Sequence, residues 1–355
     1  MQVGIAFHEK YKLYDFGSGH PFRGDRFGNA MKIFEEQGLL KSANVSILKP
    51  EIAKLKDLLR VHDKSYVDLI FDFAEKGRAY DFDTPLSTSI LEGALYIMGG
   101  ALRIGEALYD GEIERGVAMG GGLHHAGEDF GGGFCIFNDV AILTRYLQRE
   151  KNFKRVMILD YDVHAGNGTS DIFYSDPSVL FISVHQDPKT LFPGTGFVDQ
   201  IGRGEGEGFN VNVPLPPGTT DATYFFALRE IFLPLAKDFR PDIILANGGS
   251  DPHFADILGS LSLTVKGFFN LSRLIVSVAE QHSEGKVVLL IGSGYNPAVL
   301  PACWYALAAG VAGLEEIKVV DPSMPPAEPP WCRERVEVTV KELKQILKKH
   351  WTCFK

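Results

Sequence analysis

At 355 residues, with 45% hydrophobic and 23% charged side chains and a mean hydropathy near zero, the chain has the make-up of a globule that buries a large core without staples. A net charge of -9 and the lack of any Lys/Arg block argue against a nucleic-acid surface, and no apolar run nears the ~20 residues of a membrane span. The four cysteines, Cys135, Cys303, Cys332 and Cys353, form no CxxC pair, so neither a zinc ribbon nor a redox pair is suggested, and free thiols of a reducing cytosol are expected.

The chain opens on a short strand-like run, 3–7, without a basic leader, so no signal peptide and a cytoplasmic location are expected. Helical stretches follow at 26–38, 51–60, 64–76 and 87–109. A strand is expected at 116–119, a helix at 138–150, then strands at 156–160 and 179–185. A helix at 221–238, a strand at 242–247, a helix at 266–283, a strand at 287–291 and a helix at 297–312 complete the series. Such alternation favours a mostly parallel sheet with helices on both faces. Continuous apolar strands, not alternating ones, fit burial on both sides. The Pro-rich stretch 322–330 reads as a connector to a last helix at 338–350. The domain is therefore taken as 1–320, with 321–355 as connector and C-terminal helix packed on the same body. Long loops rich in Gly, Pro, His and Asp follow the strands at 120–133, 185–208 and 248–259. In open α/β sheets the ligand site sits at those carboxyl ends.

After strand 156–160 comes Asp160-Tyr161-Asp162-Val163-His164-Ala165-Gly166-Asn167-Gly168. Two carboxylates and an imidazole arrive at every second residue at the tip of a buried strand, where polar groups need partners. A bound cation satisfies Asp and His together. Asp162 and His164 project to one side, joined by Asp160. A catalytic zinc site takes three protein ligands and keeps one position open. Asp251, directly after strand 242–247, is the third candidate. A single such Asp reads more readily as a cap or turn residue; the alternate spacing plus a second strand-end Asp favours the metal. Zinc and ferrous iron both suit this donor set.

Three further clusters fall on the same loops. Gly120-Gly121-Gly122-Leu123-His124-His125 follows strand 116–119. Adjacent histidines can supply a general base and a general acid, with Asp160 and Asn167 available to orient the rings. Tyr295, in Gly292-Ser293-Gly294-Tyr295-Asn296, can aim a hydroxyl at a developing oxyanion. Phe134 and Phe192 each stand beside turn residues, where two rings could wall a slot for an alkyl chain.

Taken in order, these segments resemble the histone deacetylase superfamily, which includes acetoin-utilisation proteins and acetylpolyamine amidohydrolases. The matches are Gly19-His20-Pro21 with Arg26, Phe82-Asp83-Thr84-Pro85, His124-His125-Ala126 with Gly132-Gly133-Phe134-Cys135-Ile136-Phe137-Asn138-Asp139, and the run around Asp162. Ser183-Val184-His185 with Leu191-Phe192-Pro193-Gly194, Gly249-Ser250-Asp251-Pro252-His253 and Gly292–Asn296 continue the series, which spans roughly residues 18–312. The resemblance implies the arginase/deacetylase fold, a single three-layer α/β/α domain with an eight-stranded parallel sheet. It implies Asp162, His164 and Asp251 as zinc ligands, His124 and His125 as the catalytic pair with His125 as general base, and Asp160 and Asn167 as their partners. Tyr295 would polarise the carbonyl. Gly133, Phe134 and Phe192 would line the tunnel, Asp83 would bind substrate amides at the rim, and Arg26 would lie near an internal acetate channel. A potassium ion would sit among Asp160, Asp162, His164, Ser183 and Val184, largely on carbonyls. The expected activity is deacetylation of N-acetyl-lysine in protein or peptide, or of an acetylpolyamine or related small amine.

Three positions depart from the family pattern: Ala165 replaces a second histidine, Asn167 replaces Asp, and Ile291-Gly292-Ser293-Gly294 replaces a longer glycine run. An uncharged Asn raises the pKa of its histidine less than Asp would. Ureohydrolases of the same fold need two metals and further carboxylates, at positions held here by Gly166 and His253. A non-catalytic acyl-binding scaffold is the other rival, and no catalytic residue has been lost to suggest it.

Overall fold

The computed structural model describes residues 1–355. Eight strands form one sheet: β1 (Val3–Ala6), β2 (Val45–Leu48), β3 (Arg115–Met119), β4 (Val156–Asp160), β5 (Val179–Gln186), β6 (Asn210–Leu215), β7 (Ile243–Gly249) and β8 (Val287–Ser293). Their order is β2-β1-β3-β8-β7-β4-β5-β6, and every pairing is parallel. Ten α-helices accompany it: α1 (Asp25–Glu36), α2 (Leu55–Leu58), α3 (Lys64–Lys76), α4 (Thr88–Tyr109), α5 (Asp139–Glu150), α6 (Asn167–Phe173), α7 (Asp221–Phe239), α8 (Val265–His282), α9 (Leu300–Val311) and α10 (Cys332–Leu347). No helix is long and apolar enough to cross a membrane.

Side chains alternate across a strand, and the core divides accordingly. Met157, Leu159, Leu180, Ile182, Leu289 and Ile291 enter one apolar cluster with α1, α7, α8 and α9. Val156, Ile158, Val179, Phe181, Val288 and Leu290 enter a second with α5 and part of α4. That split is the three-layer architecture, and it explains why these strands read as unbroken apolar runs. Helix starts are capped by side chains: Ser87 accepts from Ile90 N–H, Asn138 from Ala141 N–H and Thr264 from Gly267 N–H, each worth about 1 kcal/mol.

Several boundaries differ from the sequence reading. Strands β2 and β6 and helix α6 carry no apolar run, and the expected helix 51–60 shortens to Leu55–Leu58. The expected helix at 338–350 begins earlier, at Cys332, and ends at Leu347. Its Val336, Val340, Leu343 and Leu347 join the larger core cluster, and Lys344 pairs with Glu230 of α7. The Pro-rich connector is fastened at both ends. Asp321 meets His253 Nε2 at 2.8 Å, and the Glu328 carboxylate accepts from Thr220 and Thr223.

Candidate active site

Four adjacent central strands, β3, β8, β7 and β4, deliver the polar clusters to one end of the sheet. The β3 loop carries His124 and His125. Its Gly122 and Leu123 N–H groups donate to the Asp139 carboxylate at 2.9 and 2.8 Å, and burial pushes that carboxyl up to about 6 against these bonds. Helix α6 packs on the same loop. Thr169 N–H donates to the His124 carbonyl at 3.0 Å, and Asn138 donates to the Ala126 carbonyl and Thr169 Oγ1. His62 closes the frame: its Nδ1 meets the Gly127 carbonyl at 2.8 Å and its Nε2 accepts from Asn138 N–H at 3.0 Å.

So framed, His124 Nδ1 lies 2.7 Å from Asp160 Oδ2 and His125 Nδ1 lies 2.7 Å from Asn167 Oδ1. Their Nε2 atoms converge to 3.2 Å. The two rings titrate in opposite directions. Burial works against a charged His124, but Asp160 and Asp162 outweigh it and hold the ring at about 9. Burial, then the positive charges of His124 and His164, push His125 well below its ordinary value. The two rings that meet here are thus biased toward opposite charge states.

Asp162, His164 and Asp251 present ligand atoms that all lie within 4.8 Å of one another, and all three residues are buried. His164 Nδ1 is 3.0 Å from Asp162 Oδ1 and 3.4 Å from Asp251 Oδ2. Ser293 Oγ donates to Asp251 Oδ1 at 2.8 Å, whereas Asp251 Oδ2 is buried without a hydrogen-bond partner. Burial and the neighbouring Asp162 drive the Asp251 carboxyl well up. Two carboxylates this close, one with an orphaned oxygen, form a site that a divalent cation completes, so the residues fit the expected metal.

The remaining candidates surround this centre. Phe192 stands edge-on to His125 and His164, with ring centroids 5.0 and 6.4 Å away; Phe134 stands edge-on to Tyr295 at 5.6 Å. Gly133 lies between the walls: a Cβ there would sit 2.6 Å from His125 Cδ2 and 2.9 Å from Phe192 Cε1. Phe134 itself holds φ 70, a region unfavourable to a bulky residue, and its carbonyl accepts from Tyr14 Oη at 2.5 Å. Tyr295 is positioned through its backbone, whose N–H donates to Asp256 at 2.7 Å. Arg26 is buried behind it, donating to the Gly292, Pro21 and Arg23 carbonyls; burial lowers its guanidinium to about 10. Asp83 is at the rim, its carbonyl 3.0 Å from His20 Nε2, and His20 packs on Phe134 at 4.6 Å. Burial and neighbouring Asp81 raise the Asp83 carboxyl. Ser183 pairs in register with Asp160, and Val184 follows it on β5, beside the 160–164 segment. Ala165 floors a recess of about 510 Å³ shared with Asn167, Tyr174, Gln200 and Arg203, and it packs where a Cβ on Gly196 would approach to 2.8 Å.

Every candidate from the sequence therefore lies at this end of the sheet. Of the residues that hold the histidine loop, Asn138 and Asp139 fall within the matched Gly132–Asp139 run but carry no assigned role from sequence, and His62 has no signal there.

Comparison with known proteins assigns the family. A model of the histone deacetylase domain matches residues 20–311. A probable deacetylase of Archaeoglobus fulgidus is 37% identical over 365 aligned positions, covering 100% of both chains. The acetoin utilization protein AcuC of Staphylococcus aureus is 35% identical over 317, covering 85% of this chain and 80% of that one. A crystal structure of the HDA15 HD domain superposes with a TM-score of 0.88 at 26% identity, covering 99% of this chain and 97% of the other. The chain is a deacetylase-type, AcuC-like protein and belongs to the histone deacetylase family.

Proposed function

We propose that the protein is a metal-dependent deacetylase that hydrolyses the amide of N-acetyl-lysine, in protein or peptide, or of a closely related acylated amine. The observation that carries this reading is the histidine pair, its Nε2 atoms 3.2 Å apart and its Nδ1 atoms held by Asp160 and Asn167, beside the Asp162–His164–Asp251 cluster. Those three residues would hold zinc or ferrous iron, which when bound supplies Lewis acidity to an amide carbonyl and to water. The backbone around Asp160, Asp162, His164, Ser183 and Val184 would hold a structural potassium ion.

Phe134, Phe192 and Gly133 would receive the slender, neutral acyl-amine stem and exclude water from it. His125, kept neutral by burial, takes a proton at Nε2 from the attacking water. Asn167 accepts its Nδ1–H, which puts the lone pair on Nε2. Tyr295 donates its hydroxyl to the carbonyl oxygen as negative charge develops. His124, charged and held by Asp160, gives the Nε2 proton to the departing nitrogen. The amine product then gains charge and leaves an apolar slot readily. Asp83 at the rim would accept amide hydrogens of a peptide backbone. The unpaired thiols of Cys135, Cys303, Cys332 and Cys353 support a cytoplasmic setting.

The test is acetate release by zinc-loaded protein from a panel of acetyl-lysine peptides, acetylpolyamines and longer acyl-lysines. Turnover of the peptides is expected. Turnover of polyamines alone would overturn the acetyl-lysine reading, and no hydrolysis of any substrate would favour an acyl-binding scaffold.

A further inference from the structure

Asn247 lies near the end of β7, in register beside Asp160 of β4, is fully buried, and has no part in the chemistry above. Its carbonyl is committed to Tyr161 N–H at 2.8 Å. Its side-chain nitrogen lies 3.3 Å from His124 Nδ1, whose own partner is the Asp160 carboxylate. His124 Nδ1 already gives its proton to Asp160 Oδ2 and has no lone pair in the ring plane to offer an amide. The Asp160 carboxylate, in register on the neighbouring strand, is the acceptor this leaves for the Asn247 N–H. Asp160 Oδ1 in turn accepts from Asp162 N–H at 3.2 Å, so each carboxylate oxygen has one donor besides the amide.

The other end of the amide is left at a cost. Asn247 Oδ1 is buried with no partner, and it presses on Gly122, where any Cβ would run into it. Turning the amide over would point that oxygen at an ionised carboxylate. A residue present only to fill space would carry no orphaned oxygen, since leucine has a closely similar shape.

We propose that Asn247 is a positioning residue of the histidine pair: its amide N–H fixes the Asp160 carboxylate so that His124 aims Nε2 at the leaving nitrogen. This rests on the deacetylase reading above. It also gives the bare backbone at Gly122 a reason, because Gly122 makes room for the amide.

The test uses the full chain loaded with zinc and two substitutions, Asn247→Leu and Asn247→Ser; the smaller one serves if the larger does not fold. Three quantities are read: kcat and KM on an acetyl-lysine peptide, bound zinc, and the low-field proton resonance of the His124 Nδ1–H. We expect kcat to fall about 10- to 100-fold with KM and zinc content unchanged, and the resonance to shift or vanish. Wild-type kcat with an unmoved resonance overturns the proposal. So does a loss of kcat that merely tracks lost zinc, which makes Asn247 a prop of the cation site. If the wild type hydrolyses no acyl amide, the deacetylase reading fails separately, and the resonance still decides whether Asn247 holds Asp160 and His124 together.

Discussion

His62 makes the active-site loop sensitive to acid. Its ring is 2% exposed, and burial lowers it to about 4 despite the favourable backbone carbonyls of Gly127 and Glu128. The neutral tautomer suits the site, because Nε2 accepts from Asn138 N–H while Nδ1 donates to Gly127. A proton on Nε2 sets two donors face to face. In the unfolded chain the ring titrates near 6.5, so between 6.5 and about 4 the unfolded state binds the extra proton. Stability from this group is complete above 6.5, falls as the pH drops through that window, and levels off below about 4. At ~1.4 kcal/mol per pH unit the loss is about 3 kcal/mol. His62→Gln keeps a donor and an acceptor but cannot titrate. Urea unfolding of both proteins from about pH 7.5 to about pH 4 should move their stability difference by about 3 kcal/mol in favour of the variant. Asp139 and His185 titrate in the same range, but they are common to both proteins and cancel. A difference that stays constant with pH refutes the reasoning.

Tyr295→Phe removes only the hydroxyl, so kcat on an acetyl-lysine peptide should fall about 100- to 1,000-fold while bound zinc, read by elemental analysis, is unchanged. Gly133→Ala places a methyl group 2.6 Å from the His125 ring at a position with φ 53; kcat/KM should drop about tenfold or more, and unchanged kinetics would show that the slot runs elsewhere. Stripping the cation with a chelator leaves Asp162 and Asp251 crowded around His164, so melting temperature and turnover should fall together and both return on adding zinc.

The central strands were legible because burial on both faces demands unbroken Val, Ile and Leu, as in β4, β5, β7 and β8. Edge strands escape that demand. In β2, Ser46 and Ile47 are exposed. In β6, Asn210, Asn212 and Pro214 break the apolar run, although Asn210 and Asn212 are buried and bonded to the Gln200 carbonyl. Helix α6 is short and polar at its start because Asn167 must face His125. The same division holds at the site. Asp162, His164, Asp251 and Tyr295 were legible because a costly polar group at a strand tip advertises itself. Asp139, His62 and Asn247 were not, because a buried carboxyl, ring or amide acquires its meaning only from the backbone groups that folding brings to it.

One cation or two can be argued from the same contacts. A second metal would need a carboxylate at position 166 or 253. A Cβ on Gly166 would run into Asp160 Oδ2 and come within 3.0 Å of His124 Nδ1; a longer acidic side chain there would displace the pair that His124 depends on. His253 is turned away: its Nδ1 accepts from Ala255 N–H and its Nε2 is held by Asp321. The two Nε2 atoms, 3.2 Å apart, add no carboxylate to the Asp162–His164–Asp251 group. Gly166 and His253 thus offer no carboxylate to a second cation, which leaves Asp162, His164 and Asp251 as the donor set of a single one.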